Sequence, residues 1–197
     1  MKPVTVITGR GVPLNRSDVD TDQIIPSDWL KRVERSGFGA GLFAEWRDDR
    51  DFVLNNPAFA GATVLVAGRN FGTGSSREHA VWALMDYGFE AVVSSRFADI
   101  FRNNCTKQGL LPVEVSPDLD RELLKAVAEN PSLELTVDLS RCTIEAPEAG
   151  IQGTFHLDEF TRQRFLNGWD DIALSLRHVS EIDAYESKRP RWLPTSG

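Results

Sequence analysis

The sequence is poor in the side chains that bind metals. Its 197 residues include two cysteines, Cys105 and Cys142, and three histidines, His79, His156 and His178. The cysteines do not form a CxxC pair, and the histidines are scattered. Because an iron–sulfur cluster or a structural zinc usually takes four protein ligands, we expect no metal to be held by this chain alone. A metal that the chemistry requires is expected on another chain.

Long apolar runs and an excess of positive charge are also absent. No run approaches the roughly 18 apolar residues of a membrane span, and the apolar run at the N-terminus is too short for a signal peptide. The 22 Lys and Arg against 29 Asp and Glu give a net charge of −7. Acidic chains are poor binders of nucleic acid and of anionic membranes, so neither is an expected partner. We expect the protein to be cytoplasmic.

The remaining composition is that of one globular α/β domain over residues 1–197. The middle of the chain alternates apolar strands with helices that end at glycine, which predicts right-handed crossovers and a largely parallel central sheet. The elements predicted there are a strand over 62–68, a helix over 76–87 before Gly88, a strand over 89–94, a helix over 97–108 before Gly109, and a strand over 110–115.

The flanking regions follow other patterns. A short strand is predicted over 4–8, residues 9–28 read as polar and turn-rich, and 29–60 as irregular or weakly helical, with a mobile glycine loop over 36–41. After the parallel part the pattern predicts a helix over 119–129 and an antiparallel pair over 133–138 and 142–146. C-terminal helices are predicted over 156–166, with Asp158 as N-cap, and over 170–184, followed by an irregular tail from about 188.

The stretch AGRNFGTGSSREHA, residues 67–80, links a predicted strand to a predicted helix. Glycines there let backbone N–H groups approach an anion, and the helix N-terminus adds partial positive charge. Arg77 adds a planar fork that suits a carboxylate. The spacing matches neither the P-loop GxxxxGK[ST] nor the dinucleotide pattern GxGxxG. A small carboxylate ligand is therefore the predicted occupant.

A purely structural interpretation stays open at this stage. Ser75 and Glu78 have the S-x-x-E spacing of a capping box, so Ser75 could serve only to start the helix. His79 and Trp82 on the same helix are expected to pack rather than to catalyse. Asp20 and Asp22 could form a local turn before Ile24.

Several segments resemble one known family. NFGTGSSREHA (70–80) closely resembles the signature of the swivelling domain of the aconitase superfamily. DVDTDQIIP (18–26) and SRFADIFRNNCTKQGLLPVEV (95–115) resemble two further segments of that domain, and YESKRPRWLP (185–194) resembles the tail of 3-isopropylmalate dehydratase small subunits. The resemblance implies a swivelling β/β/α domain and a hydro-lyase that isomerises 2-isopropylmalate to 3-isopropylmalate in leucine biosynthesis. It also implies a large subunit that carries a [4Fe–4S] cluster.

The resemblance also implies roles for individual residues. Ser75 would be the base that takes the carbon-bound proton, and Asp22 would orient a neighbouring group. Gly74, Ser76 and Arg77 would bind the dicarboxylate substrate. An unassisted hydroxyl is a poor base, so Ser75 would need the helix N-terminus and the charge of Arg77 to stabilise its alkoxide.

The segment from Leu30 to Gly41 is the predicted specificity element. The apolar side chains of Leu30 and Val33 could bury the isopropyl methyl groups, at about 0.8 kcal/mol for each. The alternative is an ordinary surface loop. Two other functions also stay open: a subunit of a related hydro-lyase acting on homoaconitate, 2-methylcitrate or dimethylmalate, and a non-catalytic anion-binding module.

Overall fold

A computed structural model describes residues 1–31, 36–190 and 192. One seven-stranded sheet runs through it in the order β4-β3-β2-β1-β5-β6-β7. The strands are β1 Val6–Leu14, β2 Val64–Ala67, β3 Ala91–Ser94, β4 Leu111–Glu114, β5 Glu134–Asp138, β6 Thr143–Ala146 and β7 Ile151–Thr154.

The described residues form seven α-helices besides several short 3-10 turns. These helices are α1 Thr21–Ile24, α2 Glu78–Tyr87, α3 Asp99–Gln108, α4 Pro117–Glu129, α5 Glu159–Asn167, α6 Asp171–Leu176 and α7 Val179–Ser187. Helices α2 and α3 pack against each other, and α4 packs on β1 and β2. The fold is thus the predicted α/β class, with a parallel part, antiparallel strands and C-terminal helices.

The parallel part follows the sequence prediction closely. Strands β1 to β4 pair in parallel, and β2 and β3 are buried at every residue, as expected for strands covered on both faces. Helices α2 and α3 end at Gly88 and Gly109, both in the left-handed conformation, with φ of +116° and +95°. Both glycine caps are therefore confirmed.

Strand β1 is longer than the predicted strand over 4–8 and changes partner along its length. Val6–Arg10 pairs antiparallel with β5, whereas Gly11–Leu14 pairs parallel with β2. Two glycines and a proline made its second half resemble a turn. Pairing with β2 overrides that local preference. Strand β1 thus joins the parallel and the antiparallel parts of the sheet.

The C-terminal half departs from the prediction in two places. Strand β7 pairs with β6 although no strand was expected there. Its four residues, IQGT, include a glycine and only one large apolar side chain, so the sequence signal for a strand is weak. The helix predicted over 170–184 is two helices, α6 and α7, separated at Arg177 and His178. Asp158 does cap α5, since its Oδ1 accepts a hydrogen bond from the Thr161 N–H at 2.9 Å.

Candidate active site

The glycine-rich segment lies at the carboxyl edge of the parallel strands. It follows β2 and runs beside residues 18–22, which follow β1. Four backbone hydrogen bonds join the two segments: Asp18 N–H to Arg69 O at 2.8 Å, Gly72 N–H to Val19 O at 2.8 Å, Thr73 N–H to Val19 O at 3.1 Å, and Thr21 N–H to Thr73 O at 2.9 Å. The two motifs singled out in the sequence therefore form one continuous surface, at the edge where open α/β sheets bind ligands.

Two glycines give this segment its shape. Gly72 has a φ of +81°, and a Cβ there would lie 2.2 Å from the ring of the buried Phe101. Gly74, directly before Ser75, has a φ of +88°. A residue with a side chain would be strained at both positions, so the turn into α2 requires glycine.

Ser75 and Ser76 are exposed beyond this turn. Helix α2 begins at Glu78, two residues later than predicted, and its N-cap is Arg77, which makes no side-chain capping hydrogen bond. The capping-box interpretation of Ser75 and Glu78 is therefore wrong, because Ser75 lies two residues before the N-cap. The structure leaves the start of α2 without a capping side chain, beside two exposed hydroxyls.

Thr21 holds the backbone of Ser75 in place. Its buried hydroxyl donates a hydrogen bond to the carbonyl oxygen of Ser75 at 2.9 Å. This role of Thr21 was not predicted from the sequence. The only signal was its position between the two aspartates of the DTD motif, which does not reveal a contact 54 residues away.

Arg77 forms an ion pair with Asp22. The guanidinium Nη1 donates to the Asp22 carboxylate; the Arg77 side chain is only 17% exposed, against 56% for Asp22. Asp20 has a different role, since its side chain caps α1 in a capping box with Gln23. The local-turn interpretation thus fits Asp20, whereas Asp22 reaches across to the glycine-rich segment.

The predicted specificity element is only partly within the described residues. Leu30 lies half-buried in the 3-10 turn Ser27–Lys31, and Val33 lies outside the described residues. The segment predicted as a mobile loop forms a 3-10 turn over Phe38–Gly41.

The buried side chain of Phe38 anchors this turn. Its N–H donates to the Asp86 carboxylate at 3.0 Å, and its ring packs against His79 and Trp82 at centroid distances of 5.3 and 5.7 Å. The predicted packing role of His79 and Trp82 is confirmed by these contacts. They connect the second half of the segment to α2, directly behind the serine turn.

The two cysteines do not contribute to the candidate site. Cys105 is fully buried in α3, and burial raises the pKa of its thiol well above the usual value. Cys142 is half-buried at the turn before β6. Across residues 1–31, 36–190 and 192, no three His, Cys, Asp or Glu side chains are placed to hold a metal ion. The described side chains therefore do not fit an iron–sulfur cluster.

No helix in the described part of the chain has the 18-residue apolar stretch needed to cross a membrane.

Two family models match the chain. Residues 1–118 match the aconitase C-terminal domain, which includes both motif segments and β1 to β4. Residues 171–195 match the C-terminal domain of the 3-isopropylmalate dehydratase small subunit, and this match begins at α6.

Curated relatives match over the whole length. The chain is 59% identical to the 3-isopropylmalate dehydratase small subunit of Frankia alni and 60% identical to that of Frankia casuarinae, with all of both chains covered in each case. It is 58% identical to the small subunit from Rubrobacter xylanophilus, over 98% of each chain.

A solved structure supports the same assignment. The 3-isopropylmalate dehydratase LeuD of Methanocaldococcus jannaschii superposes with a TM-score of 0.68 at 26% identity, covering 92% of this chain and 99% of the other. The shared fold, the motif segments at its carboxyl edge and the full-length identity agree. The chain therefore belongs to the family of 3-isopropylmalate dehydratase small subunits, built on the aconitase C-terminal domain.

Proposed function

We propose that this chain forms one wall of an active site that it shares with a large subunit, and that Ser75 and Arg77 act on the substrate there. As a 3-isopropylmalate dehydratase small subunit, the chain is part of a hydro-lyase of leucine biosynthesis. The observation that supports these roles is the exposed Ser75 hydroxyl beside an α2 N-terminus that no side chain caps.

Ser75 acts as the base in this proposal. Dehydration removes a proton from the carbon next to a carboxylate and hydroxide from the adjacent carbon. The Ser75 alkoxide takes the proton, and the cluster expected on the large subunit would supply the Lewis acid for the leaving hydroxide. An alkoxide must be stabilised for this to occur near neutral pH, and the partial positive charge at the start of α2 provides that stabilisation. The hydrogen bond from Thr21 fixes the backbone of Ser75 and therefore the position from which its side chain extends.

Arg77 binds a substrate carboxylate. Its guanidinium carries five N–H donors, so it can keep the Asp22 contact and still present a donor edge to the substrate. Asp22 holds the Arg77 guanidinium in a fixed orientation before the substrate arrives. Less conformational entropy is therefore lost when the substrate binds. The hydroxyl of Ser76 and the backbone at Gly74 complete the polar contacts.

Leu30 and Val33 contact the apolar end of the substrate. The isopropyl group needs an uncharged surface to contact. Leu30 is half-buried, so part of its apolar side chain remains accessible to a substrate. Burial of both methyl groups contributes about 1.6 kcal/mol at roughly 0.8 kcal/mol each.

The remaining wall of the site and the [4Fe–4S] cluster belong to the large subunit. The relatives are called small subunits, which implies a larger partner. Ser75 and Ser76 lie on an open surface, as expected for residues whose site is closed by a second chain. We expect the assembled enzyme to work in the cytoplasm.

A competition experiment tests this proposal. The chain and the large subunit from the same organism are purified separately, mixed, and assayed for conversion of 2-isopropylmalate to 3-isopropylmalate. We expect activity only from the mixture. The Ser75→Ala chain is then added in excess over wild type to a limiting amount of large subunit. Activity should fall in proportion to the fraction of large subunit that the variant occupies, because the variant binds the partner but cannot remove the proton from the substrate.

Activity from the lone chain, or a Ser75→Ala chain that supports full turnover, would contradict the shared site. Homoaconitate, 2-methylcitrate and dimethylmalate serve as comparison substrates in the same mixture. Each is expected to turn over far more slowly than 2-isopropylmalate.

A further inference from the structure

The two last helices carry a row of apolar side chains that face solvent. Ile172 and Leu176 on α6 are 72% and 61% exposed. Val179, Ile182 and Tyr185 follow at three-residue spacing on α7 and are 43%, 39% and 68% exposed. We call these five residues the C-terminal apolar face. Exposed apolar groups in such a row indicate a contact surface rather than scattered surface residues.

Helix α7 lacks the packing that would stabilise it. None of its nine residues is buried, and every residue from 175 to 188 is exposed in the described part of the chain. Isolated helices shorter than about 12 residues are only marginally stable in water, and most helical stability in proteins comes from packing an apolar face. A partner that covers Ile182 and its neighbours would supply the missing contacts.

Helix α6 ties this surface to the body of the domain. Arg164, itself buried, forms an ion pair with Asp171 at 2.8 Å, and the Arg177 guanidinium lies 4.1 Å from the centre of the Trp169 ring. These contacts hold α6 at a defined place on the domain, and α7 follows it after Arg177 and His178.

Charge argues against a second copy as the occupant. Helix α7 contains Glu181, Asp183 and Glu186, and the basic residues next to it, Arg177, Lys188 and Arg189, lie only beyond its two ends. The whole chain has a net charge of −7. Two such faces would bring like charges together, which costs free energy. The complementary surface is an apolar groove with a basic rim.

The family matches indicate which partner carries that groove. The match to the aconitase C-terminal domain ends at residue 118, whereas the segment from 171 to 195 matches a domain defined for small subunits. A domain joined covalently to its partner is kept close by the linker, but a separate chain needs an interface to reach the same effective concentration. The feature particular to separate small subunits is thus the one that bears the unpartnered apolar surface.

We propose that the C-terminal apolar face docks into an apolar, basic-rimmed groove on the large subunit and supplies affinity that is separate from the catalytic contacts. This inference rests on the proposed function, because it assumes the same large subunit as partner.

The test measures how tightly variants of the full chain bind the purified large subunit. Ile182→Asp places a charge in the middle of the face. Ser180→Asp places the same charge on the opposite side of the same helix and is the matched control. We expect the dissociation constant to rise at least about tenfold for Ile182→Asp and to stay within about twofold of wild type for Ser180→Asp. The circular dichroism of both free chains should match that of wild type.

The kcat measured with a saturating amount of large subunit distinguishes a failure of the docking surface from a failure of the proposed catalytic role. The Ile182→Asp chain should recover the kcat of wild type once all of it is bound, whereas Ser75→Ala should stay inactive even when fully bound. Equal affinities for Ile182→Asp and wild type would overturn the docking surface and leave the role of Ser75 intact. Sedimentation that shows a dimer of the lone chain, dissolved by Ile182→Asp, would assign the face to a second copy instead.

Discussion

Helices α2 and α4 both follow a buried strand of the parallel sheet, yet they begin differently. Two residues separate β4 from helix α4, whose N-cap is Ser116, and the Ser116 hydroxyl accepts a hydrogen bond from the Leu119 N–H. Ten residues separate β2 from helix α2, and its N-cap Arg77 provides no capping oxygen. A side chain of the same chain thus accepts a hydrogen bond from a first-turn N–H group of α4. No capping side chain does so at the start of α2, where the N–H groups are left for a ligand.

The approach to α2 is also conformationally costly. Asn70 has a φ of +63°, and Gly72 and Gly74 also lie in the left-handed region. Strained backbone persists where the surrounding structure holds it, and here the contacts with residues 18–22 do so. We therefore expect the closed start of α4 to contribute stability, and we propose that the open start of α2 contributes chemistry.

The largest expected effect is on turnover. Ser75→Ala in the assembled enzyme should lower kcat by about 10²- to 10⁴-fold, the range for loss of a general base. The thermal midpoint of the chain should not change, because Ser75 is exposed and caps no helix. Steady-state kinetics and thermal unfolding of the same preparation check both statements. A lower thermal midpoint with an unchanged kcat would show that Ser75 has a structural role instead.

Arg77→Lys should mainly weaken substrate binding. Lysine keeps the charge but not the planar fork, and a charge-assisted hydrogen bond is worth about 1.5–3 kcal/mol, so KM should rise by roughly 10- to 100-fold. Asp22→Asn is the companion variant and should raise KM less, since it removes only the partner that orients the fork. Unchanged KM and kcat for Arg77→Lys would show that Arg77 does not bind the substrate.

Thr21→Val should lower kcat by about tenfold, because it deletes the hydroxyl that holds the Ser75 carbonyl and lets the turn shift. Thr21→Ser keeps the hydroxyl and should retain most of the activity. Equal losses in both variants would mean that packing at position 21 matters rather than the hydrogen bond.

Ser116→Ala should show the opposite pattern to Ser75→Ala. Loss of the α4 cap should reduce the free energy of unfolding by about 1 kcal/mol, measured by urea denaturation of the lone chain. Its kcat in the assembled enzyme should equal that of wild type. A clearly lower kcat for Ser116→Ala would contradict the difference in role that we assign to the starts of α2 and α4.

The smallest effect concerns Asp120 on α4. One of its carboxylate oxygens accepts from the Ser95 N–H at 3.2 Å, and the other is buried without a hydrogen-bond partner. Burial raises the pKa of this carboxyl above its ordinary 3.8. The folded state therefore holds this proton more tightly than the unfolded chain, and stability is lost as the pH rises from below 3.8 through the raised pKa.

Asp120→Asn cannot ionise and should lack this slope. The melting temperature of the variant, minus that of wild type, should increase as the pH is raised from about 3.5 to about 7, a range that spans the titration of a carboxyl group with a raised pKa. Thermal unfolding of both chains across this range is the measurement. A difference that is constant with pH would show that the carboxyl does not titrate with folding.

The sequence was informative where the signal was local. The buried strands around residues 64–67 and 91–94 and the glycine caps Gly88 and Gly109 depend on neighbouring residues, and they were predicted. The resemblance of the serine motif directed attention to residues that the structure places at the carboxyl edge of the parallel strands.

Contacts between distant segments could not be predicted in this way. Thr21 meets Ser75 across 54 positions, and Asp22 meets Arg77 across 55. The second half of β1 forms a strand because Gly11–Leu14 pairs with β2, which lies more than 50 positions further along the chain. The spacing of Ser75 and Glu78 fits a capping box, but the left-handed Gly74 and the contacts to Thr73 and Ser75 delay the start of α2 to Glu78.

Hydrogen exchange of the assembled enzyme tests the central claim most directly. Backbone amides are followed in the presence and absence of 2-isopropylmalate. If the open start of α2 faces the substrate, the amides of residues 74–78 will exchange more slowly once it is bound, while those of residues 118–121 at the capped start of α4 will not change. Identical exchange at residues 74–78 with and without substrate would contradict the account.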